Sequence, residues 1–318
     1  MNIVVHLPVR IIQRITVYKR IALIGTILLL NSGIAKQPAI AQFLPRLPYL
    51  DGNSLEKEGR DLLGESLQLA QLQQVDLAIT RAKFATQLIP QNSDAWSILG
   101  GLYLADNQAD KSVTALQRAQ NLAPREPAIM LRLGNAYFMK KDYQKSIDSL
   151  QAGLKLNPQP KAIPSALFDV GNAYLMLGKP KDAIASYQKS YQQDKEKKFW
   201  FPLNNIALIR YEAGETDQAI ELWRSSLSVD SKASEPKLAL AVALHKQGRE
   251  EEGLKLGEAA LKLDNRYAEV KFLKENLWGA KLIEDTQNFL DQPRIKAALT
   301  QSKVDGPKAD ESQPRSPR

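Results

Sequence analysis

The sequence predicts an all-α solenoid of about six helix-turn-helix units, and three observations carry that prediction. A block recurs: Gly134-Asn135-Ala136-Tyr137 returns as Gly171-Asn172-Ala173-Tyr174, and Trp96-Ser97-Ile98-Leu99-Gly100 with Tyr103 fills the same slots one unit earlier, at a period of 34 residues. Small residues return at positions 8, 20 and 27 of that period, where two helices of a pair approach closely, with large residues at 4, 7, 11 and 24 to fill the gaps. Gly178, Gly214 and Gly248 all fall at position 15, where a turn between paired helices takes a left-handed residue.

The units lie at 59–92, 93–126, 127–160, 164–197, 200–233 and 234–267. The second is the fullest, with Trp96, Leu99, Gly100, Tyr103, Ser112, Leu116, Ala119 and Pro124 in the eight slots, and the third follows with Met130, Leu133, Gly134, Tyr137, Ser146, Leu150, Gly153 and Pro158. Proline at position 32 ends the second helix because it lacks an N–H and restricts the residue before it. The fourth keeps Gly171, Tyr174, Ala183 and Tyr187 but has Lys195 in place of proline. The fifth has Ala207 for the glycine and Arg210 for the tyrosine; in the first only the second helix matches well, and Gly253 and Gly257 weaken the second helix of the sixth.

This pattern resembles the tetratricopeptide-repeat family, over about two-thirds of the chain. The resemblance implies a right-handed solenoid whose first helices line a concave groove, with positions 2, 5, 9, 12 and 13 pointing into it. Those positions hold Leu131, Asn135, Phe138 and Met139 in the third unit, Phe168, Asn172, Leu175 and Met176 in the fourth, and Phe201, Asn204, Leu208 and Tyr211 in the fifth. Asn135 and Asn172 carry amides suited to gripping a peptide backbone. The basic pattern with which related proteins clamp a C-terminal carboxylate is missing, because positions 5 and 9 of the second unit are Ser97 and Gly101. The partner implied is a protein or peptide.

One helical pair cannot bury its apolar face alone, so stacking supplies the core and the last unit needs a cap. Residues 268–301 are expected to be that capping helical segment, and 302–318, polar with Pro307, Pro314 and Pro317, a disordered tail.

The N-terminal 1–41 reads as an export signal: a basic segment ending in Lys19-Arg20, the apolar run Ile21–Leu30, then Ala39-Ile40-Ala41 as a cleavage site. A spanning helix needs roughly 20 apolar residues, so a membrane anchor over 21–35 is the second reading. Either places the folded part beyond a membrane, in a periplasm or thylakoid lumen, with a linker at 42–58. The stretch from Trp278 to Leu299 and this N-terminus together resemble a set of exported cyanobacterial repeat proteins with plastid relatives. That resemblance implies assembly of a photosynthetic membrane complex; a structural component of the cell envelope is the alternative.

The formal charge of +8 in 318 residues suggests nucleic acid until it is divided along the chain. Residues 1–41 hold five basic and no acidic side chains, which leaves 38 basic and 35 acidic beyond them, a balance unsuited to neutralising phosphates. No nucleic-acid partner is expected. The absence of cysteine removes thiol catalysis and thiolate metal sites, and the two histidines, His6 and His245, cannot build a two-histidine site in the mature chain. Glu250-Glu251-Glu252 begins a helix, where acids complement the dipole. Lys195-Glu196-Lys197-Lys198-Phe199-Trp200-Phe201 sits at a unit junction, where aromatics pack and charges face water. With no phosphate loop, dinucleotide fingerprint or nucleophile elbow, no enzyme and no cofactor are expected.

Overall fold

The computed structural model describes residues 52–304, of which 302–304 are described in backbone only. The expected signal or anchor, the linker up to residue 51 and the tail beyond 304 lie outside the described residues. Among the described residues there are fifteen α-helices and no strand. The first twelve form six antiparallel pairs: α1 (Gly52–Gln71) with α2 (Val75–Leu88), α3 (Ser93–Ala105) with α4 (Ala109–Leu122), α5 (Pro127–Met139) with α6 (Tyr143–Lys155), α7 (Ile163–Met176) with α8 (Pro180–Gln193), α9 (Phe201–Glu212) with α10 (Thr216–Val229), and α11 (Ser234–Lys246) with α12 (Glu250–Leu263). Each second helix also packs on the first helix of the next pair, so the stack is continuous.

Helix α4 shows why these segments are helical and which side they bury. Ser112, Val113, Ala115, Leu116 and Ala119 recur at helical spacing and are all buried, while Lys111, Thr114 and Arg118 between them face water. Full burial of Leu116 contributes about 2–3 kcal/mol. The small residues set the helix separation: a Cβ on Gly100 would stand 2.5 Å from Leu116 Cγ, one on Gly134 2.5 Å from Leu150 Cγ, and one on Gly171 2.5 Å from Tyr187 Cε1. Ser112 at position 20 donates through Oγ to the Gly100 carbonyl at 2.7 Å, so the slot also carries a hydrogen bond across the pair.

The turn within every pair uses a left-handed residue at position 15. Gly178, Gly214 and Gly248 supply it as expected, and Gln73, Asn107 and Lys141 supply it in the first three pairs with φ of 61°, 57° and 64°. Helix starts are fixed locally: the Asn92 side chain accepts from Ala95 N at 2.9 Å, and Pro127 occupies the first turn of α5.

Two expectations are corrected here. Residues 52–58, expected as linker, are the first two turns of α1: Leu55 is half-buried and begins a stripe continued by Gly59, Leu62, Leu63 and Ser66, and Gly59 lies so close to Ile89 that a Cβ would meet it at 2.8 Å. The C-terminal helices do more than cap the last pair. After a 3-10 turn and α13 (Val270–Glu275), α14 (Ala280–Leu290) packs on α9 and α11, the first helices of the fifth and sixth pairs. Only α15 (Pro293–Val304) closes on α12, through buried Ile295 and the bidentate pairing of Arg294 with Glu251 and Glu258. The stripe Leu282, Ile283 and Phe289 on α14 joins one apolar core with Leu208, Leu238 and Val242.

Candidate partner-binding groove

The seat of α14 identifies which residues of the first helices face inward. Tyr211 Oη, at position 12 of the fifth unit, donates to Asp285 Oδ2 at 2.8 Å, and Lys246 Nζ, at position 13 of the sixth, donates to Asp285 Oδ1 at 2.7 Å. Glu212 at position 13 accepts from the backbone N–H groups of Lys281 at 3.1 Å and Leu282 at 2.9 Å, capping the start of α14 from another helix. Deeper in, Trp278 Nε1 donates to Glu235 Oε1 at 3.0 Å, and Tyr267 Oη to Oε2 of the same carboxylate at 3.4 Å. Burial against water pushes Glu235 up to about 7, and the Trp278, Asn204 and Tyr267 hydrogen bonds only partly oppose it.

Four residues expected to meet a partner are therefore buried. Asn204 is 0% exposed and Tyr211 1%, with Leu208 also enclosed, because residues 267–290 fill the inner face of pairs five and six, and Phe201 is buried against Phe168, Phe199 and Trp200. In the fourth pair Phe168 is 0% exposed and Asn172 3%. Phe199 and Phe201 cover Phe168 at centroid distances of 5.3 and 6.0 Å, and Asn172 Oδ1 accepts from Tyr187 Oη at 2.7 Å and Asn205 Nδ2 at 3.2 Å. Asn204 donates to Asn205 Oδ1 at 3.3 Å. Asp169, buried in the fourth pair, is pushed up to about 7 by desolvation, against a hydrogen bond from Asn135 that lowers it. Asn172, Asn205 and the Asn204 Nδ2 bond to their neighbours, while Asn204 Oδ1 has no hydrogen-bond partner among the described residues and is withheld from a partner backbone by burial.

The rest of the expected site is accessible. Leu131, Asn135, Phe138 and Met139 on α5 are half-buried, and Met176 at the end of α7 is 42% exposed. Beside them lie Leu104, Leu175 and Leu177, the last 37% exposed. Of these, Leu104, Phe138, Met139, Leu175, Met176 and Leu177 occupy positions 12 to 14 of pairs two to four, the same row that α14 covers in pairs five and six, while Leu131 and Asn135 lie at positions 5 and 9. Arg132, at a position outside the expected groove set, reaches across to α3 and donates to Ser97 Oγ at 2.8 Å; no carboxylate among the described residues pairs with it. The signal for this row was present in the sequence as Leu104-Ala105, Phe138-Met139 and Leu175-Met176 at matching positions.

The other motifs are absorbed by packing. Glu251 and Glu252 pair with Arg294, Arg249 and Arg224. Trp200 stacks on Phe201 at 3.9 Å while Lys195, Lys197 and Lys198 face water. His245 is half-buried with its ring 5.3 Å from Phe289 of α14. No group of three or more metal-ligating side chains occurs among the described residues.

Family profiles described as Tetratricopeptide repeat match residues 127–160 and 204–268. No curated protein matches the sequence. Among solved structures, pilF of Pseudomonas aeruginosa superposes with a TM-score of 0.57 at 14% identity, over 74% of this chain and 99% of that one. A chain of the APC/C Cut9-Hcn1 hetero-tetramer gives a TM-score of 0.55 at 14% identity, over 79% of this chain and 46% of the other. At such identities the likeness is one of fold. With the first match lying on the pair α5–α6 and the second on α9 to α12, in one 34-residue frame, the chain is a tetratricopeptide-repeat protein, a fold that generally serves as a protein-interaction scaffold.

Proposed function

We propose that this protein is a non-enzymatic scaffold, exported across a membrane, that holds a protein partner on the first helices of pairs two to four and assists assembly of a membrane protein complex. The observation that carries the reading is the accessible apolar row ending in Met176 and Leu177, on a surface whose continuation in pairs five and six is covered by the chain's own α14. Contiguous exposed apolar surface marks interaction sites. Export is supported by the basic segment, apolar run and Ala39-Ile40-Ala41 of the N-terminus, and predicts a mature chain beginning at Gln42, which N-terminal sequencing of protein from its native host checks.

Photo-cross-linking residues placed at Met139 and Met176, with Lys189 on an outer surface as control, test the binding face in the native host. Adducts with subunits of a membrane complex are expected at the first two positions and not at the third. An absence of adducts at Met139 and Met176, or equal adducts at Lys189, overturns the reading.

A further inference from the structure

Resting on that scaffold reading, we infer that the partner presents an amphipathic α-helix, laid along the C-terminal ends of α3, α5 and α7, with an acidic side chain directed at Arg132. Two kinds of ligand could occupy the inner face of a helical stack, an extended peptide or a helix, and they need different chemistry. An extended segment brings unpaired backbone N–H and C=O groups that the floor has to satisfy. Here the floor amides are engaged or enclosed: Asn172 bonds to Tyr187 and Asn205, Asn135 to Asp169, and the Asn204 nitrogen to Asn205 and Glu235, while the unpartnered Asn204 Oδ1 is sealed from the groove by burial. A helix satisfies its own backbone and asks only for an apolar strip and a few charges.

The chain already shows a helix in this position. α14, 11 residues and about 16 Å long, starts at Glu212 and crosses to Lys246, so it runs along the row of positions 12 and 13 from the fifth pair to the sixth. The row continues uncovered towards the N-terminus, and its chemistry changes on the way. Where α14 sits, the row carries Tyr211, Glu212 and Lys246, which bond α14 specifically; beyond it stand Leu104, Phe138, Met139, Leu175, Met176 and Leu177. An unbranched, polarisable Met139–Met176 pair adapts to the apolar face of a second helix without demanding one sequence. Arg132 adds a cation with no carboxylate partner among the described residues, on α5 six residues before Phe138 and bonded to Ser97 of α3. A helix of roughly five turns would span three pairs in the way that α14 spans two.

Binding of two synthetic peptides to the full-length protein tests this, both 18 residues long and of one composition rich in leucine with two glutamates. In one the leucines share a helical face; in the other the order is scrambled so that they do not. The helical peptide is expected to bind at least about tenfold more tightly, and Met139→Glu with Met176→Glu, both on the surface, to remove that advantage while the circular dichroism stays unchanged. Arg132→Glu should weaken the glutamate peptide and strengthen a version carrying lysines in their place. Equal binding of the two peptides, or indifference to the methionine substitutions, overturns the inference. So does self-association abolished by Met139→Glu, which would make a second copy the occupant. Should cross-links from Met139 to native protein persist while the helical peptide fails, only the helix assignment falls; should both fail, the scaffold reading falls with it.

Discussion

Gly100 and Gly101 are adjacent on α3 and differ in what they tolerate. A Cβ at Gly100 would lie 2.5 Å from Leu116 Cγ, a branch point that cannot swing aside, whereas at Gly101 its nearest neighbours are Arg132 atoms at 3.9 Å. Gly100→Ala should therefore cost about 1–3 kcal/mol through overpacking, and Gly101→Ala should stabilise by up to about 1 kcal/mol through helix propensity, both read by urea denaturation. Glu235 and Asp169 make a second prediction at this scale. Their carboxyls are raised from 4.5 and 3.8 to about 7 in the fold, so the stability they contribute is full below their unfolded values and is lost as pH rises through about 7. Stability should fall between pH 5 and pH 8 by about 2–3 kcal/mol for each of the two groups, and Glu235→Gln should remove about half of that dependence. A pH-independent stability in the wild type would contradict the burial of these groups. Slot identities were legible in the sequence here, but two partners of Asn172 and Asn204 were not, because Asn205 reaches Asn172, and Glu235 reaches Asn204, only through packing between units.

Helix by helix, what could be read was local and what could not was distant. The second helices α2, α4, α8, α10 and α12 all occupy positions 17 to 30 of their units, since each is bounded by its own turn and its own small residues. Glycine announced the left-handed turn residue in three pairs; Gln73, Asn107 and Lys141 adopt it against a cost of about 1–2 kcal/mol, which the pair packing around them overrides and composition does not signal. The destination of α14 depends on contacts such as Tyr211 to Asp285, 74 residues apart, and no periodicity encodes those. Glu212 caps α14 across a similar distance, so Glu212→Ala should cost about 0.5–2 kcal/mol. Hydrogen exchange should then speed up in α14 while α4 and α6 keep their protection. Equal acceleration everywhere would mean that α14 is not an independently seated element.

Across the described molecule, the chain covers one part of its own inner face and leaves another part accessible. Pairs five and six are filled by residues 267–290, and pairs two to four keep the accessible row that the scaffold reading uses. The 34-residue period made the stack legible at once, because a repeated slot pattern reports the fold several times over; the division was not, because it follows from a C-terminal segment with no repeat of its own. The chain's lack of cysteine allows the division to be measured directly by single substitutions. Met139→Cys, Met176→Cys, Leu208→Cys and Leu238→Cys, each in the full chain, are treated with a thiol reagent under native conditions. The first two should label at close to the rate of a free thiol, and the last two at least about a hundredfold more slowly, as expected where opening costs a few kcal/mol, until Leu282→Asp unseats α14 and brings Leu208→Cys into reach. Labelling at one common rate along the row, or a Leu208→Cys rate that ignores Leu282→Asp, would contradict the account.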